Sequence, residues 1–266
     1  MVRSIRYRES SRIVTLFSAE HGKFAVIAKG ARRSRSGSAL SAVEPPARVE
    51  TMVYFRSTRS VQTLGQVTVL DTYHRIRNDL TLTGYALATL QLLERTTTDG
   101  EPNPNAYRAA VDALENLSSR ETDPRLELWR FMLDLLRAVG FGIDPLSCPV
   151  CGRPTAEIGR HNLLVADAGA VCCHRCTPPE GTTIPVSGES ISIMRRLSRD
   201  SRDRLNNLKV SENARRELTD ALERFLKYHQ PHLGELTALH MLDALERPIG
   251  RDKSADLVKA DRAHLT

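Results

Sequence analysis

The first quarter of the chain carries the alternation of apolar and polar residues that is typical of β-strands. Two β-branched runs, at residues 12–17 and 23–29, flank a turn at residues 20–23 and predict a hairpin. Further strands are predicted before Glu9, over residues 49–55 and over residues 61–70, where Gly65 is expected to form a bulge. The segment from Gly30 to Pro46 has no strand pattern and is rich in Ser, Gly, Ala and Arg. We therefore predict that it is an exposed loop.

Five short strands in about 70 residues suit a small β-barrel of the oligonucleotide-binding (OB) type, although the periodicity alone also allows other small barrels. The sequence therefore predicts an α+β fold in which residues 1–72 form an OB-type barrel.

The apolar period lengthens after Asp71 to the spacing of helices. Capping residues mark several predicted helix starts, since Asn103 and Asp123 each precede a proline, and Ser187 and Ser211 precede later helices. The predicted helical segments are residues 80–93, 104–117, 125–139, 188–197, a helix after Ser211, and 233–245. An α-helical domain is thus expected over residues 73–147 and 181–247, and the polar residues 248–266 are expected to form a flexible tail.

Two C-x-x-C pairs lie between these helical segments. They are Cys148 with Cys151 and Cys173 with Cys176, and all five cysteines of the chain fall within residues 148–176. Two such pairs about twenty residues apart are typical of a Zn²⁺ site with four thiolate ligands. Four thiolates close the coordination sphere, so the zinc would be structural rather than catalytic. Residues 148–180 are therefore predicted to form an inserted zinc-binding lobe.

Other interpretations of the cysteines remain open. Cys173 gives a tighter knuckle than its neighbour Cys172, which is then a buried or spare thiol. His161 and His174 are weaker ligand candidates, and His174 is expected to point outward. The alternatives to a metal site are unrelated cysteines, disulfides of a secreted protein, or a thioredoxin-type redox pair, which needs no second C-x-x-C.

Composition places the chain among ordinary globular proteins. Hydrophobic residues make up 41% and charged residues 26% of its 266 residues. No apolar run approaches the roughly 20 residues of a membrane helix, and the basic N-terminus has no apolar stretch behind it. Clustered thiols without a targeting segment indicate the cytoplasm, and a chain that binds DNA would be associated with the nucleoid there.

The excess of positive over negative charge is confined to the predicted barrel. Residues 1–72 hold twelve Lys/Arg against five Asp/Glu, whereas the remaining residues hold 26 against 27. A basic module joined to a nearly neutral body indicates a polyanionic partner. The candidate phosphate-binding residues are Arg12, Lys23, Lys29, Arg32, Arg33 and Arg35. Six neutralised phosphates would give a salt slope of about −4 on single strands and about −5 on duplex DNA.

Three aromatic residues in the same module, Phe24, Tyr54 and Phe55, could stack on bases, but the barrel core is the preferred location for them. A second basic group, at Arg195, Arg196, Arg199, Arg202 and Arg204, alternates with Asp200 and Asp203. We expect it to be a solvated helix face.

The sequence lacks the motifs of the common catalytic sites. It contains no G-x-x-x-x-G-K-[ST] phosphate loop, no G-x-S-x-G elbow and no H-E-x-x-H helix. The segment around Cys148 resembles half of a zinc deaminase, but the H-x-E element is missing. We therefore expect a protein that is not an enzyme.

A series of short motifs runs along the chain, beginning at residues 7–16 and including residues 28–33, Ala-Lys-Gly-Ala-Arg-Arg. It continues through Leu40 with Glu44-Pro45, through residues 101–104, the two C-x-x-C pairs, and His232-Leu233-Gly234. In the order of these motifs, the chain resembles the RecO family of bacterial recombination mediators, and residues 28–33 resemble its most typical segment. Two departures stand out, because the N-terminus is short for the usual first strand and residues 36–38 lack the family's aromatic residue.

The resemblance implies an OB domain, an α-helical domain and a zinc lobe. It implies DNA repair and homologous recombination after DNA damage, by a protein that binds single- and double-stranded DNA and anneals complementary strands. The implied partners are RecR, single-stranded-DNA-binding protein (SSB), expected on the helical domain, and the RecA pathway, with no membrane. It makes Lys29, Arg32 and Arg33 the first candidates for DNA contact. The alternative is a zinc-ribbon factor that acts on RNA or in transcription.

Overall fold

A five-stranded sheet occupies the N-terminal quarter of the chain. The computed structural model describes residues 1–7, 9, 11–29, 44–56, 58–119, 123–155, 161–205 and 208–246. The strands are β1 (Arg3–Tyr7), β2 (Ser11–Ser18), β3 (Gly22–Lys29), β4 (Arg48–Tyr54) and β5 (Val61–Asp71). All five strands that the alternating pattern predicted are therefore confirmed.

The strand order is β1-β2-β3-β5-β4, with antiparallel neighbours except for the parallel pair β3 and β5. The predicted bulge is confirmed, because the register of β4 and β5 shifts between Thr51 and Val53, opposite Gly65. The predicted closed barrel is wrong for the described residues, in which no strand ladder joins β1 to β4. The segments that precede these two edge strands are nevertheless joined, because the Met1 amino group donates a hydrogen bond of 2.8 Å to the carbonyl of Ala47.

Helices make up most of the remaining described residues. They are α1 (His74–Arg77), α2 (Leu80–Thr96), α3 (Pro104–Ser119), α4 (Pro124–Ala138), α5 (Gly188–Arg199), α6 (Glu212–His229) and α7 (Thr237–Glu246), with a 3₁₀ turn at Arg202–Leu205. The predicted caps are confirmed at Asn103, Asp123, Ser187 and Ser211, whose side chains each accept a backbone N–H hydrogen bond. The last helix begins at Thr237, four residues later than predicted.

The main core surrounds α4, which is buried on almost every side. Trp129, Phe131 and Met132 are each 1% exposed. The Trp129 indole N–H donates to the Thr219 hydroxyl at 3.0 Å, so the ring fills the core without leaving its polar group unpaired. Side chains of α2, α3, α5, α6 and α7 complete this core.

A second sheet, which periodicity did not predict, follows α4. Its strands are β6 (His161–Val165), β7 (Ala170–Cys172) and β8 (Thr183–Ser187), in the order β7-β6-β8. Leu164, Val171 and Ile184 belong to the main helical core. The cysteine-rich segment therefore shares its core with the helices.

The turn between β2 and β3 is fixed to the helical part of the chain. The Lys23 ammonium group donates to the carbonyls of Glu94 and Thr97, at 2.5 and 2.7 Å, and lies 3.2 Å from the Asp99 carboxylate. Gly22 has φ +60°, and a Cβ built on it would overlap the backbone carbonyl of Glu101. Only glycine therefore allows this close approach.

We predict that Gly22→Ala destabilises the protein more than Gly100→Ala. Both glycines have a positive φ, but a Cβ on Gly100 would have no heavy atom within 4 Å. Gly100→Ala should cost about 1 kcal/mol of unfolding free energy for backbone strain alone. Gly22→Ala should cost at least about 2 kcal/mol, because the Glu101 backbone must also move. Denaturant unfolding of the two variants measures the difference, and equal losses would contradict the close approach.

Candidate functional site

The structure brings together the four cysteines that the spacing selected. The sulfur atoms of Cys148, Cys151, Cys173 and Cys176 all lie within 4.8 Å of one another, and those of Cys151 and Cys173 are 3.9 Å apart. A tetrahedron with metal–sulfur bonds of about 2.3 Å has edges of about 3.8 Å. The donor set therefore fits one metal ion with four thiolate ligands.

Two tight turns aim these sulfurs at one point. In the first turn, Gly152 N–H donates to the Cys148 carbonyl at 2.9 Å, and Gly152 has φ +68°. In the second, Cys176 N–H donates to the Cys173 carbonyl at 3.1 Å, directly after β7. The Cys173 N–H also points at the Cys148 sulfur, at 3.5 Å. Backbone donors of this kind stabilise a thiolate.

The pKa values of Cys148 and Cys172 shift in opposite directions, which distinguishes a thiol of the cluster from the neighbouring buried thiol. Burial raises the pKa of Cys148, but N–H groups of Cys173, Cys151 and Val150 outweigh burial and lower it to about 6. Burial raises the pKa of Cys172 to about 11, and its sulfur points to the carbonyls of Cys173 and Cys176. Cys172 is thus a buried thiol outside the cluster, as the spacing predicted. His174 is exposed, and the side chain of His161 lies outside the described residues.

The predicted basic loop begins and ends over the start of β2. Lys29, the last residue of β3 before the loop, pairs with Ser11, while the Arg12 side chain donates to Glu44, at the other end of the loop, and to Ser4. Arg77 also donates to the carbonyl of Glu44, at 2.8 Å. Both ends of the loop are therefore held at one end of the sheet.

The six predicted phosphate contacts fall into two groups. Arg32, Arg33 and Arg35 lie outside the described residues, as does the side chain of Lys29. Arg12 and Lys23 are described, and their side chains are only 16% and 15% exposed. Both use their charge within the chain, so their geometry favours a structural role over a phosphate contact.

The preferred interpretation of the aromatic residues is wrong for two of the three. Tyr54 is 58% and Phe55 49% exposed, whereas Phe24 is half-buried against the interior of the sheet. Tyr54 shares the outer face of β4 with Glu50 and Met52, while Val49 and Val53 face inward. The alternation along β4 could have assigned Tyr54 to the outer face from the sequence.

Comparison with known proteins identifies the family. A family model described as "Recombination protein O C terminal" matches residues 77–235, and one described as "Recombination protein O N terminal" matches residues 1–73. This chain belongs to the RecO family. Among the curated relatives, DNA repair protein RecO of Bacillus subtilis (strain 168) is 28% identical, over 96% of this chain and 97% of the relative.

Two further RecO relatives agree with this assignment. DNA repair protein RecO of Desulfitobacterium hafniense (strain Y51) is 30% identical, over 85% of this chain and 81% of its own length. The protein of the same name from Listeria monocytogenes serotype 4b (strain CLIP80459) is 26% identical, over 95% and 96%. The sheet thus corresponds to the RecO N-terminal model, and the cysteine cluster lies within the C-terminal one.

The second basic group of this RecO chain is not a simple solvated face. Arg202 pairs at 3.1 Å with Glu127, whose side chain is 4% exposed, and Arg196 pairs with Asp200 at 3.1 Å. A buried carboxylate needs such a partner, so Arg202 has a structural role that charge alternation did not reveal.

No described helix is long and apolar enough to cross a membrane.

Other residues of the sheet were not predicted as functional. Arg6, Arg56 and Arg59 are exposed, and within the described part of the chain no acidic group pairs with them. By contrast, Arg3 and Arg48 form ion pairs with Glu94 and Glu115 of the helices. These two sets of arginines cannot be distinguished from the sequence, because ion pairing depends on the tertiary structure.

We predict that Cys151→Ser abolishes metal binding while Cys172→Ala leaves it intact. Loss of one thiolate opens the tetrahedral donor set, whereas the Cys172 sulfur lies outside it. Metal content per chain, measured by elemental analysis of the purified proteins, should fall from about one to near zero only for Cys151→Ser. Equal metal loss in both variants would show that Cys172 belongs to the site.

Proposed function

We propose that this RecO-family chain is a non-enzymatic mediator of DNA repair and homologous recombination. It binds single- and double-stranded DNA, anneals complementary strands and, with RecR, helps to load RecA onto DNA coated with SSB. This places the protein in the cytoplasm, in association with the nucleoid. The observation that carries the proposal is the positive excess of residues 1–72, in a chain that its RecO relatives match along most of its length.

The proposed DNA contacts are Lys29, Arg32, Arg33 and Arg35. Arg12 and Arg77 anchor the described end of their loop at Glu44, and the other end leaves β3 where Lys29 pairs with Ser11. Arg12 and Lys23 would have to give up intramolecular bonds before they could bind a phosphate, so we assign them the task of positioning the loop and the sheet. Four phosphate contacts correspond to a salt slope of about −3 on single strands and about −4 on duplex DNA.

Annealing of this kind needs no catalytic group. Two anionic strands must approach each other while their bases stay free to pair, and cations that bind phosphates satisfy both requirements. The family's partners enter because SSB coats the single strand first, and RecR would help RecA to replace it there. We expect SSB to contact the helical domain.

We further propose that the metal is Zn²⁺ and that its role is structural. Four thiolates suit Zn²⁺ in a closed tetrahedron and leave no position for a reacting water. Cys148, Cys151, Cys173 and Cys176 would hold the ion, and its binding would stabilise the turns that precede β6 and follow β7.

A zinc-ribbon factor for RNA or transcription is less well supported. Such a protein would concentrate basic residues on the ribbon, but residues 148–176 carry three arginines against two acidic residues. The positive excess of this chain lies within residues 1–72, which contain no cysteine.

We predict that changing Lys29, Arg32 and Arg33 together to Ala strongly slows the annealing of complementary strands coated with SSB. Three lost contacts should lower the salt slope of single-strand binding by about 2. The matched control changes Arg108, Arg199 and Arg216 to Ala, three exposed arginines of the helical part. Annealing rates, with binding measured at several salt concentrations, provide the test.

The outcomes of this experiment separate the site from the function. Annealing by the parent protein and the control, with little by the triple variant, supports both. Unchanged annealing by the triple variant removes the site assignment, and no annealing by the parent removes the proposed function.

We predict that a chelator destabilises the helical part without preventing short-term DNA binding. The cysteine-rich segment shares the main core, through Leu164 and Ile184, whereas Val14, Leu16 and Val26 form a separate core within the N-terminal sheet. Thermal unfolding and DNA binding should be followed together after metal removal. A lower melting temperature with retained binding is expected, and simultaneous loss of binding would contradict the separation.

A further inference from the structure

We propose that aromatic residues at one end of the N-terminal sheet stack on the unpaired bases of single-stranded DNA. This tip patch consists of His21, Phe24, Tyr54, Phe55, Arg56 and Arg59. The inference rests on the proposed function, and it adds to the basic loop a second contact that is selective for unpaired bases.

The parallel pairing of β3 with β5 brings the parts of the patch together. Ala25 pairs with Val61, so the turn before β3 and the turn before β5 lie at the same end of the sheet. The first turn carries His21 and the second carries Phe55, Arg56 and Arg59. The basic loop leaves β3 at its other end, seven residues beyond Gly22, which is about 23 Å of strand.

The rings of His21, Phe24 and Phe55 are in contact but incompletely covered, and Tyr54 is the adjacent exposed ring on the outer face of β4. The Phe55 ring centroid lies 5.1 Å from that of Phe24 and 5.2 Å from that of His21. Phe24 packs against the sheet interior and so fixes the base of the cluster, yet Phe55 is 49% and Tyr54 58% exposed. Exposed rings held by other rings offer flat faces at little cost in conformational entropy.

A buried glutamine holds the turn that carries these residues. The Gln62 side chain is buried, accepts the Arg56 N–H at 2.7 Å, and donates to the carbonyls of Arg56 and Arg59, at 3.2 and 2.6 Å. The amide group is thus used entirely to fix the backbone of the turn. A fixed turn loses little freedom on binding, which favours affinity.

Charge complementarity identifies the occupant. Arg56 and Arg59 are exposed and pair with no acidic group among the described residues, and Glu20 is the acidic residue of the neighbouring turn. Exposed rings beside free guanidinium groups match the alternation of bases and phosphates in a single strand. In a duplex the bases are already stacked on one another, so only the phosphates remain for the arginines to bind.

The test compares a labelled single strand with the duplex that it forms with its complement. Tyr54→Leu with Phe55→Leu keeps apolar side chains but removes both ring faces. It should weaken single-strand binding at least about fivefold, the value of one lost stacking contact, and leave duplex binding nearly unchanged. Arg56→Ala with Arg59→Ala should weaken both and lower the single-strand salt slope by about 1.4. Leu80→Ala, at a position 72% exposed on α2, is the matched apolar control.

A second measurement does not depend on the double variant. Phe55→Trp places an indole in the patch, and its fluorescence should be quenched by the single strand but not by the duplex. Trp129, 1% exposed in the main core, supplies a constant background signal and reports that the chain is folded.

The outcomes distinguish this inference from the proposed function. If the parent binds DNA but the leucine variant matches it on single strands, or loses both forms equally while folded, the stacking surface is wrong and the proposed function stands. If the Phe55→Trp protein binds single strands without quenching of its indole fluorescence, the stacking surface is likewise wrong and the proposed function stands. A parent that binds neither form overturns both.

Discussion

The short parallel ladder between β3 and β5 is the constraint on which the rest of the N-terminal structure depends. It joins the three antiparallel strands β1–β3 and the antiparallel pair of β4 and β5 into one sheet through Ala25, Val26 and Ile27. Because the two strands run in the same direction, the turns that precede them emerge together at one end. The ends of the basic loop are held at the opposite end. The parallel pairing of β3 with β5 therefore places the aromatic turns at the end of the sheet opposite the ends of the basic loop.

The same sheet shows why net charge overstates the charge that is available for binding. Arg3, Lys23 and Arg48 extend from the sheet to carboxylates or carbonyls of the helical part, and Arg12 holds the end of the basic loop. Partly buried cations need such partners, since an unpaired charge in that environment is costly. Part of the positive excess of the sheet thus holds the molecule together. Among the described residues of the sheet, Arg56 and Arg59 remain exposed at the turn before β5, and Arg6 remains exposed on β1.

Much of this arrangement could be predicted from the sequence. The strands and most helices follow from local periodicity and from capping residues such as Asn103 and Ser211, because these signals act within a few residues. The four metal ligands follow from spacing, since two short turns decide where their sulfurs point. The bulge at Gly65 follows from the same local reasoning, as a Cβ there would lie 2.9 Å from the Met52 carbonyl.

The features that could not be predicted depend on contacts between distant segments. The second sheet joins strands as short as Ala170–Cys172, which carry too few residues for a periodic signal. The structural roles of Lys23 and Arg202 require partners about 70 residues away in the chain. The exposure of Phe55 depends on the open end of the sheet, where a closed barrel core had been expected to bury it.

The two surfaces of the sheet suggest how an annealing protein could distinguish its substrate from its product. On the proposed function, cations of the basic loop would bind phosphates, which are present before and after pairing, and so they could not detect the reaction. Rings at the tip would bind only bases that are unpaired, and they would lose this contact when the complementary strand arrives. Base pairing of the two strands would therefore weaken DNA binding at the tip patch, while the basic loop would still bind the DNA backbone. On this argument the aromatic turn favours release of the annealed product, a property that charge alone cannot provide.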